Sequence, residues 1–285
     1  RKTMDPLCLE HCLTELEKQQ FEDNGYLVVE DAVPPEIVEK LIVAFDRIGA
    51  EHLGKDELPP DASYNILDFV GRDDIFIEML DWHTTFPKVW GILGWNIKLY
   101  HSHLIALPPL PPEERNKERR LGWHQDSGRL NIELEGDPRP RVSLKVAYFL
   151  TDTSVPGRGN FSVIPGSQKS NKVKMPDDDK ADPENATPVF AKPGTAVFFD
   201  RRLWHAVGRN TSDIMRKVLF YGYSYRWLQP RDDMTVEHYM EKSDPIRQQI
   251  LGKSTGGMGY TSPGDKDVPL RAWIQENLGS EAVAR

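Results

Sequence analysis

The chain of 285 residues is long enough to bury a substantial core, and its 39% hydrophobic and 28% charged residues are ordinary for a globular protein. A formal net charge of −8 disfavours nucleic acid and anionic membrane as main partners, because both attract basic surfaces. The sequence contains no apolar run of about 18 residues, so we expect no membrane-spanning segment, and the polar first residues do not suggest a secretory signal.

Two cysteines, Cys8 and Cys12, lie near the N-terminus. They are too few for a disulfide framework, and although His11 lies between them, the sequence offers no second half of a zinc motif. We therefore expect two reduced thiols, as in a cytoplasmic protein.

The N-terminal part is predicted to be mostly helical. Apolar residues recur at helical spacing, and Gly25 is expected to end the first helix. Pro87 is expected to interrupt the last one. The predicted elements are helices over 13–24, 36–50 and 73–93 and a strand over 26–29.

From residue 95 onwards, short runs of β-branched and aromatic residues alternate with turn signals such as Pro-Gly. Many short strands at this spacing favour a barrel or sandwich over alternating β/α units. In the last run, tyrosines 221, 223 and 225 alternate, and we expect at least two of them to pack in the core. The predicted strands are 97–106, 142–151, 160–164, 195–200 and 216–225.

Two polar segments, 108–120 and 170–188, are predicted to be exposed loops, of undetermined role. The last part of the chain combines helix-like pieces with a glycine-rich stretch. We expect a single domain over 1–285, made of a helical part over 13–94, a β-rich core over 95–228 and a C-terminal extension over 229–285.

The strongest local signal is the segment WHQD at 123–126. Residues two apart on a strand share a face, so His124 and Asp126 can approach one metal ion together. His205, near the end of a predicted buried strand, can supply a second imidazole. Two histidines and one carboxylate suit Fe(II) that must also bind a cosubstrate and O₂. By itself the His-x-Asp tripeptide is a weak signal, since ordinary surface hydrogen bonding explains it equally well.

Arg216 follows His205 by eleven residues and opens a predicted strand. A dicarboxylate such as 2-oxoglutarate chelates iron through its keto-acid end, so its distal carboxylate needs a buried cation. The planar guanidinium of arginine binds a carboxylate better than lysine does. Three candidate metal ligands together with a downstream arginine indicate a site for iron and 2-oxoglutarate more specifically than either part does alone.

This ordered set resembles the phytanoyl-CoA dioxygenase family of Fe(II)/2-oxoglutarate-dependent oxygenases. The resemblance covers most of residues 17–227, through FEDNGYLVVEDAVPPE, WHQDSG, VIPGSQKS and HAVGRNTSDIMRK. It implies a mainly β fold with flanking helices and a double-stranded β-helix core of jelly-roll or cupin-like type. It implies Fe(II) held by His124, Asp126 and His205, with Arg216 binding 2-oxoglutarate and O₂ as oxidant. The implied reaction oxidises an unactivated C–H bond of a small metabolite or natural-product intermediate.

Two positions depart from the family pattern. Val207 replaces a hydroxyl residue that can help hold 2-oxoglutarate, and Lys145 replaces an aromatic residue on the strand after the first metal motif. Alternation along the strand places Lys145 with small residues, where a ligand would find room. We therefore expect its ammonium to lie within hydrogen-bonding range of a 2-oxoglutarate carboxylate or of bound substrate. The alternative is a lysine that points to solvent.

Further candidate residues have weaker support. Asn65 and His103 fall where relatives place residues close to the cosubstrate. Arg129 is either a solvated loop charge or an anchor for an acidic substrate, and His83 is a candidate substrate contact. His101 is an alternative metal ligand to His124, but no carboxylate lies two residues away from it.

Other functions stay open on the residues alone. One is a catalytically silent β-helix protein that binds a small molecule or a partner, and another is a cupin-type metal-dependent hydrolase or isomerase, which would not need Arg216. An acyl-CoA hydroxylase is disfavoured by the acidic chain, although residues 115–120 could form a local basic rim. Asp126 favours hydroxylation over halogenation, because halogenases of this type replace the carboxylate with a small residue. The sequence determines neither the substrate nor the oligomeric state.

Overall fold

The computed structural model describes residues 3–284, in which two antiparallel β-sheets lie face to face. The strands are β1 (Tyr26–Val29), β2 (Tyr64–Leu67), β3 (Ile97–Leu107), β4 (Ser143–Phe149), β5 (Phe161–Val163), β6 (Thr187–Val189), β7 (Ala196–Asp200), β8 (His205–Val207) and β9 (Arg216–Tyr225). The larger sheet has the order β1-β7-β4-β9-β3-β2 and the smaller one β6-β5-β8. The prediction of a mainly β, double-stranded β-helix core with flanking helices is confirmed.

Helices pack on the outer face of the larger sheet, and helices also occupy the first and last parts of the described chain. Within residues 3–284, no helix is both long enough and apolar enough to cross a bilayer. The α-helices are α1 (Glu15–Asn24), α2 (Pro35–Leu53), α3 (Asp74–Glu78), α4 (Phe86–Leu93), α5 (Pro112–Arg115), α6 (Gly128–Glu133), α7 (Glu237–Met240), α8 (Pro245–Ile250) and α9 (Pro269–Leu278). Short 3-10 helices occupy Pro6–His11, Val70–Arg72, Met79–Asp81, Ser167–Lys169, Gly257–Gly259 and Ser280–Val283.

Local sequence signals explain the bounds of α1. At its start, Thr14 and Glu17 form a reciprocal capping box that satisfies two backbone N–H groups. At its end, Gly25 adopts φ +81°, a left-handed conformation that favours glycine. A Cβ at Gly25 would also lie 2.5 Å from Oε1 of Gln168. The chain therefore turns tightly here and enters β1 as expected.

The five predicted β-runs all contain a strand, but three strands were not predicted. These are β2, β6 and β8, which have only three or four residues each and offer little periodicity. The break within the predicted helix 73–93 lies at 82–85 rather than at Pro87. Pro87 instead occupies the first turn of α4, where a missing N–H breaks no intrahelical hydrogen bond.

Side chains of β4 alternate between two different cores. Leu144, Val146 and Tyr148 belong to the main core that the helices cover. Ala147 and Phe149 belong to a second core between the two sheets. The alternation that placed Lys145 on the face of the small residues is therefore confirmed, and that face is turned toward the smaller sheet.

A bulge in β3 shapes the inner surface of the larger sheet. The register with β9 shifts beside Tyr100, which bends the strand there. Gly222 pairs with His101 on the neighbouring strand, and a Cβ at Gly222 would lie 2.9 Å from the Tyr100 ring and 3.1 Å from the His101 carbonyl oxygen. A glycine at this register position allows the bulge to pack closely on β9.

Two of the three alternating tyrosines of β9 are core residues, as predicted. Tyr221 and Tyr223 are buried, and their hydroxyls donate to the carbonyls of Phe76 at 2.9 Å and Leu80 at 2.6 Å. These bonds tie the larger sheet to the segment around α3. Tyr225 is only partly buried and stacks on Trp227.

We expect Tyr221→Phe to lower the free energy of unfolding by about 1–3 kcal/mol, because it leaves the buried Phe76 carbonyl without its donor. Tyr225→Phe, on the same face of the same strand, is the control and should change stability by less than about 0.5 kcal/mol. Urea denaturation of the two variants measures both effects. Equal stability of the variants would show that the Phe76 bond contributes nothing.

Candidate metal centre

His124, Asp126 and His205 meet at one end of the space between the sheets. Their ligand-capable atoms all lie within 4.8 Å of one another. Within residues 3–284, these three side chains form the only group of three or more His, Cys, Asp or Glu residues with such an arrangement. The three residues singled out from the sequence could therefore hold one metal ion together.

Backbone pairing brings the two halves of this group together. The N–H of His124 donates to the carbonyl of His205, and the N–H of His205 donates to that of His124, both at 3.0 Å. The Asp126 N–H donates to the Arg201 carbonyl at 3.0 Å. The expected strand at 123–126 is wrong, since only this single bridge forms before the chain turns at Ser127, with φ +74°.

Both histidines present the same ring nitrogen to the centre. Nδ1 of His124 lies 2.8 Å from the Gly122 carbonyl oxygen, and Nδ1 of His205 lies 2.8 Å from that of Leu203. Since a carbonyl only accepts, each Nδ1 carries the proton and each Nε2 keeps its lone pair for a metal. Burial also lowers the pKa of His205 to about 4, so its imidazole is neutral, as a ligand must be.

Lys145 pairs with the candidate carboxylate ligand. Its Nζ lies 2.9 Å from Oδ2 of Asp126, whose Oδ1 lies 3.7 Å from Nε2 of His205. Burial opposes ionisation of Asp126, but the nearby positive charge, that of Lys145 above all, lowers the pKa of the carboxyl below its usual range. Lys145 is 5% exposed, so the alternative of a lysine in solvent is wrong.

A cavity of about 700 Å³ opens in front of the three residues. This volume lies within the usual range of small-molecule sites. Polar or charged residues on its wall, besides the three candidate ligands, are Asn65, Tyr100, His103, Gln125, Ser127, Arg129, Lys145, Gln229 and Arg231. Glycine and apolar residues on its wall are Ile105, Gly128, Leu130, Phe161, Phe199, Val207, Phe220 and Leu228.

His103 is the most unusual of these wall residues. It is 9% exposed, and neither ring nitrogen has a hydrogen-bond partner among residues 3–284. Burial, and then the charge of Lys145, lower its pKa well below the usual value, so the ring is neutral. Buried polar groups without partners are uncommon in proteins, and this one borders a cavity, so a ligand could satisfy it.

Arg216 is a second buried group without a partner. It is 1% exposed, and none of its three guanidinium nitrogens has a hydrogen-bond partner within residues 3–284. Burial lowers its pKa to about 10, and its Cζ lies 5.5 Å from the ring centre of Phe149. Arg216 is not part of the cavity wall; it lies on the same face of β9 as the wall residue Phe220, farther toward the start of the strand.

Two other histidines have different environments. His83 is not part of the cavity wall, because the turn between α3 and α4 holds it in the helical layer, where its ring contacts those of His11 and Trp82. The expectation that His83 contacts substrate therefore has no support from the fold. His101 is buried and bonded to Asp232 and Arg231, so it is unavailable as a metal ligand.

Arg129 lies at the edge of the cavity. Its side chain is 76% exposed and its Nε lies 2.6 Å from Oε1 of Glu133, one turn along α6. Arg129 therefore lies on helix α6 rather than in a loop, and its charge is solvated as one sequence interpretation expected. Its place on the wall leaves the other interpretation, an anchor for an acidic substrate, open.

The polar segments 108–120 and 170–188 are joined to each other by hydrogen bonds next to the WHQD motif. Oδ1 of Asp182 accepts from the Leu121 N–H at 2.9 Å and from Nε1 of Trp123 at 2.7 Å. Arg120 donates to the Ala181 carbonyl at 2.7 Å. The segments predicted as exposed loops therefore fasten to each other beside the WHQD motif.

Sequence reasoning missed the wall residues that follow β9. Leu228, Gln229 and Arg231 belong to the segment RWLQPRDD, which has neither strand nor helix periodicity. The Arg231 N–H donates to the Tyr100 carbonyl at 2.8 Å and thereby joins this segment to the β3 bulge. The only local signal was the cluster of charged residues directly after a buried strand.

Solved structures with a similar fold include HygX from Streptomyces hygroscopicus with nickel and 2-oxoglutarate bound, at a TM-score of 0.59 and 17% identity over 76% of this chain and 89% of that chain. HygX with iron bound is similar at a TM-score of 0.58 and 17% identity, with the same coverage. EctD from S. alaskensis, in its apoform, has a TM-score of 0.57 and 21% identity over 79% of this chain and 83% of that chain. At these identities the similarity establishes the fold alone.

Sequence comparisons establish the family. Two curated mycobacterial relatives, the proteins Rv1501 of Mycobacterium tuberculosis and Mb1539 of Mycobacterium bovis, are each 26% identical over 236 residues, which is 80% of this chain and 82% of theirs. The family model described as Phytanoyl-CoA dioxygenase (PhyH) matches residues 21–218, well over half of the chain. The chain therefore belongs to the phytanoyl-CoA dioxygenase family, as its motifs had indicated.

Proposed function

We propose that this protein is an Fe(II)- and 2-oxoglutarate-dependent oxygenase that hydroxylates an unactivated C–H bond of a small molecule. The observation that carries the proposal is the combination of three metal-ready side chains with a buried arginine, on the inner face of β9, that has no hydrogen-bond partner among residues 3–284. Family membership and the similarity of the fold to that of HygX, which binds 2-oxoglutarate, support it.

The donor set suits Fe(II). His124 and His205 offer Nε2 lone pairs, and Asp126 is ionised. Two imidazoles and one carboxylate leave further coordination positions of an octahedral ion open for other ligands. The backbone carbonyls on each Nδ1 hold the rings in orientation, which is the usual function of outer contacts in metal sites.

Arg216 suits the distal carboxylate of 2-oxoglutarate. A buried guanidinium without a partner is unfavourable by itself, and a carboxylate can accept two parallel hydrogen bonds from it. The wall residue Val207 offers no hydroxyl, and Lys145, His103 and Asn65 are polar wall residues that can contact the rest of the cosubstrate.

Iron and 2-oxoglutarate, when bound, supply oxidation of a C–H bond by O₂, with conversion of the cosubstrate to succinate and CO₂. The protein itself would position the reacting groups and limit the access of water to them. Phe161, Phe199 and Phe220 form an apolar part of the wall, which limits water around the reacting atoms. Lys145 keeps Asp126 ionised and thus ready to bind a metal.

Three alternatives are less well supported. A silent binding protein would have no need of three aligned ligand side chains, and a cupin-type hydrolase or isomerase would have no need of a buried arginine without a partner. An acyl-CoA hydroxylase needs a basic rim for phosphates, and Arg115 and Lys117 of the 115–120 segment already pair with Asp213 and Glu114.

We expect purified protein to bind one equivalent of Fe(II) or Mn(II) per chain. Replacing His124, Asp126 or His205 with alanine should weaken binding by more than about 100-fold, since loss of even an outer contact costs up to that much. Isothermal titration under argon measures this, with the exposed His52→Ala as the control. Unchanged affinity in all three variants would place the metal elsewhere.

We expect Arg216→Met to stabilise the ligand-free protein and at the same time to weaken the binding of 2-oxoglutarate. It removes a buried charge without a partner, so the ligand-free protein should gain about 1 kcal/mol or more in unfolding free energy. The affinity for 2-oxoglutarate should fall by about two to three decades, while Mn(II) affinity is retained. Thermal melting and titration measure the two effects, with the exposed Arg119→Met as control. Unchanged 2-oxoglutarate affinity would make Arg216 structural.

Turnover distinguishes the proposal from its alternatives. With Fe(II), ascorbate and O₂, we expect the protein to convert 2-oxoglutarate to succinate, faster in the presence of an accepted substrate. A silent binder would form no succinate, and a hydrolase or isomerase would consume neither O₂ nor 2-oxoglutarate. A screen of candidate metabolites for coupled succinate formation is therefore the most informative assay.

A further inference from the structure

Arg231 is a cation on the cavity wall that the proposed function does not use. Its side chain donates from Nη1 to Nε2 of His101 at 3.0 Å. Its own backbone N–H is bonded to Tyr100 on the β3 bulge, so the residue is anchored to the larger sheet. Arg231 is an exposed residue, and these bonds give its guanidinium a defined position on the wall of the cavity that opens in front of the candidate metal centre.

A hydrogen-bonded chain that runs from Asp232 through His101 positions this guanidinium. Oδ2 of Asp232 accepts from the Ser102 N–H at 2.5 Å, and its Oδ1 lies 2.8 Å from Nδ1 of His101. Burial lowers the pKa of His101, so the ring is neutral: Nδ1–H donates to Asp232, and Nε2 accepts from Arg231. The chain therefore orients the exposed Arg231 through a neutral acceptor, and the Asp232 carboxylate bonds the other side of that ring rather than Arg231 itself.

The other two cations of the wall have carboxylate partners. Lys145 pairs with Asp126, and Arg129 pairs with Glu133. In the part of the chain that the structure describes, no carboxylate forms an ion pair with Arg231. The charge of Arg231, which is exposed on the cavity wall, therefore stays available to a negative ligand.

With metal and 2-oxoglutarate bound, the charged groups at this site would still carry a net positive charge. A divalent metal, Lys145 and Arg216 together carry four positive charges, whereas Asp126 and 2-oxoglutarate carry three negative ones. Arg231 adds one more positive charge. Arg231 is exposed, so water already screens part of its charge. One acidic group on the substrate would still reduce this excess of positive charge at the cavity.

We propose that the substrate of this oxygenase carries a carboxylate that binds Arg231. The inference deepens the proposed function and rests on it. With Nη1 bonded to His101, the Nε and Nη2 donors form the free edge of the guanidinium, and this edge matches a carboxylate bidentately. Leu130, Leu228 and Phe220 provide an apolar wall for the rest of the molecule. The substrate class is therefore a small organic acid with a hydrocarbon or aromatic body.

The test compares 4-fluorobenzoate with 4-fluorobenzamide, which differ in charge but little in shape. Fluorine NMR relaxation of each probe is measured with protein loaded with Mn(II) and 2-oxoglutarate, so that paramagnetic relaxation reports proximity to the metal. We expect the acid to bind about tenfold or more tightly than the amide, with enhanced relaxation near Mn(II).

Arg231→Gln should abolish the preference for the acid, and Arg231→Lys should keep part of it because the charge remains. Arg129→Gln, the same change at the exposed and paired rim arginine, should reduce the preference less. Melting temperatures of all variants establish that they are folded, and the lysine variant tests the charge if the glutamine variant is unstable.

Equal binding of acid and amide to the wild-type protein overturns the inference, and so does a preference that survives Arg231→Gln. Competition between 4-fluorobenzoate and 2-oxoglutarate would assign Arg231 to the cosubstrate and overturn it too. In each case the proposed function is judged separately, by metal stoichiometry and succinate formation. If Mn(II) does not bind, the proposed function fails, whereas line broadening of the two probes still decides the role of Arg231.

Discussion

The antiparallel backbone pairing of His124 with His205 is the interaction on which the candidate site depends. Two hydrogen bonds of 3.0 Å hold the WHQD segment against the start of β8, and the Asp126–Arg201 bond extends this contact by one more step. Without it, the carboxylate and the two imidazoles would belong to unconnected loops. The same pairing orients the rings, since each Nδ1 donates to a carbonyl of its own segment and each Nε2 is turned toward the centre.

Three cations near this centre differ in their partners: Lys145 and Arg231 lie on the cavity wall, whereas Arg216 does not. Lys145 is paired with Asp126. Within residues 3–284, the side chain of the exposed Arg231 is bonded only to the neutral His101, and that of the buried Arg216 has no hydrogen-bond partner. A buried charge without a partner is unfavourable, so the Arg216 guanidinium would become more favourable if an anion bound to it. Stability of the ligand-free protein is reduced at the positions where affinity is needed.

Both sheets and the C-terminal segment contribute to this cavity. The larger sheet supplies Lys145 and Phe220, the smaller sheet supplies His205, and the segment after β9 closes the wall with Arg231. The helices pack on the opposite face of the larger sheet, where Leu144, Val146 and Tyr148 lie in the main core. This separation explains why His83, in the helical layer, does not reach the cavity.

The sequence by itself determined which three residues are candidate metal ligands, which arginine of β9 is the candidate cosubstrate anchor, and that Lys145 faces inward. These follow from local information, because motif spacing and two-residue alternation need no knowledge of distant partners. Only the tertiary structure decided that Lys145 pairs with Asp126 and that His101 orients Arg231, a residue 130 positions away in sequence. It also decided that 123–126 forms one bridge rather than a strand. Such contacts depend on strand order and loop path, which local periodicity does not encode.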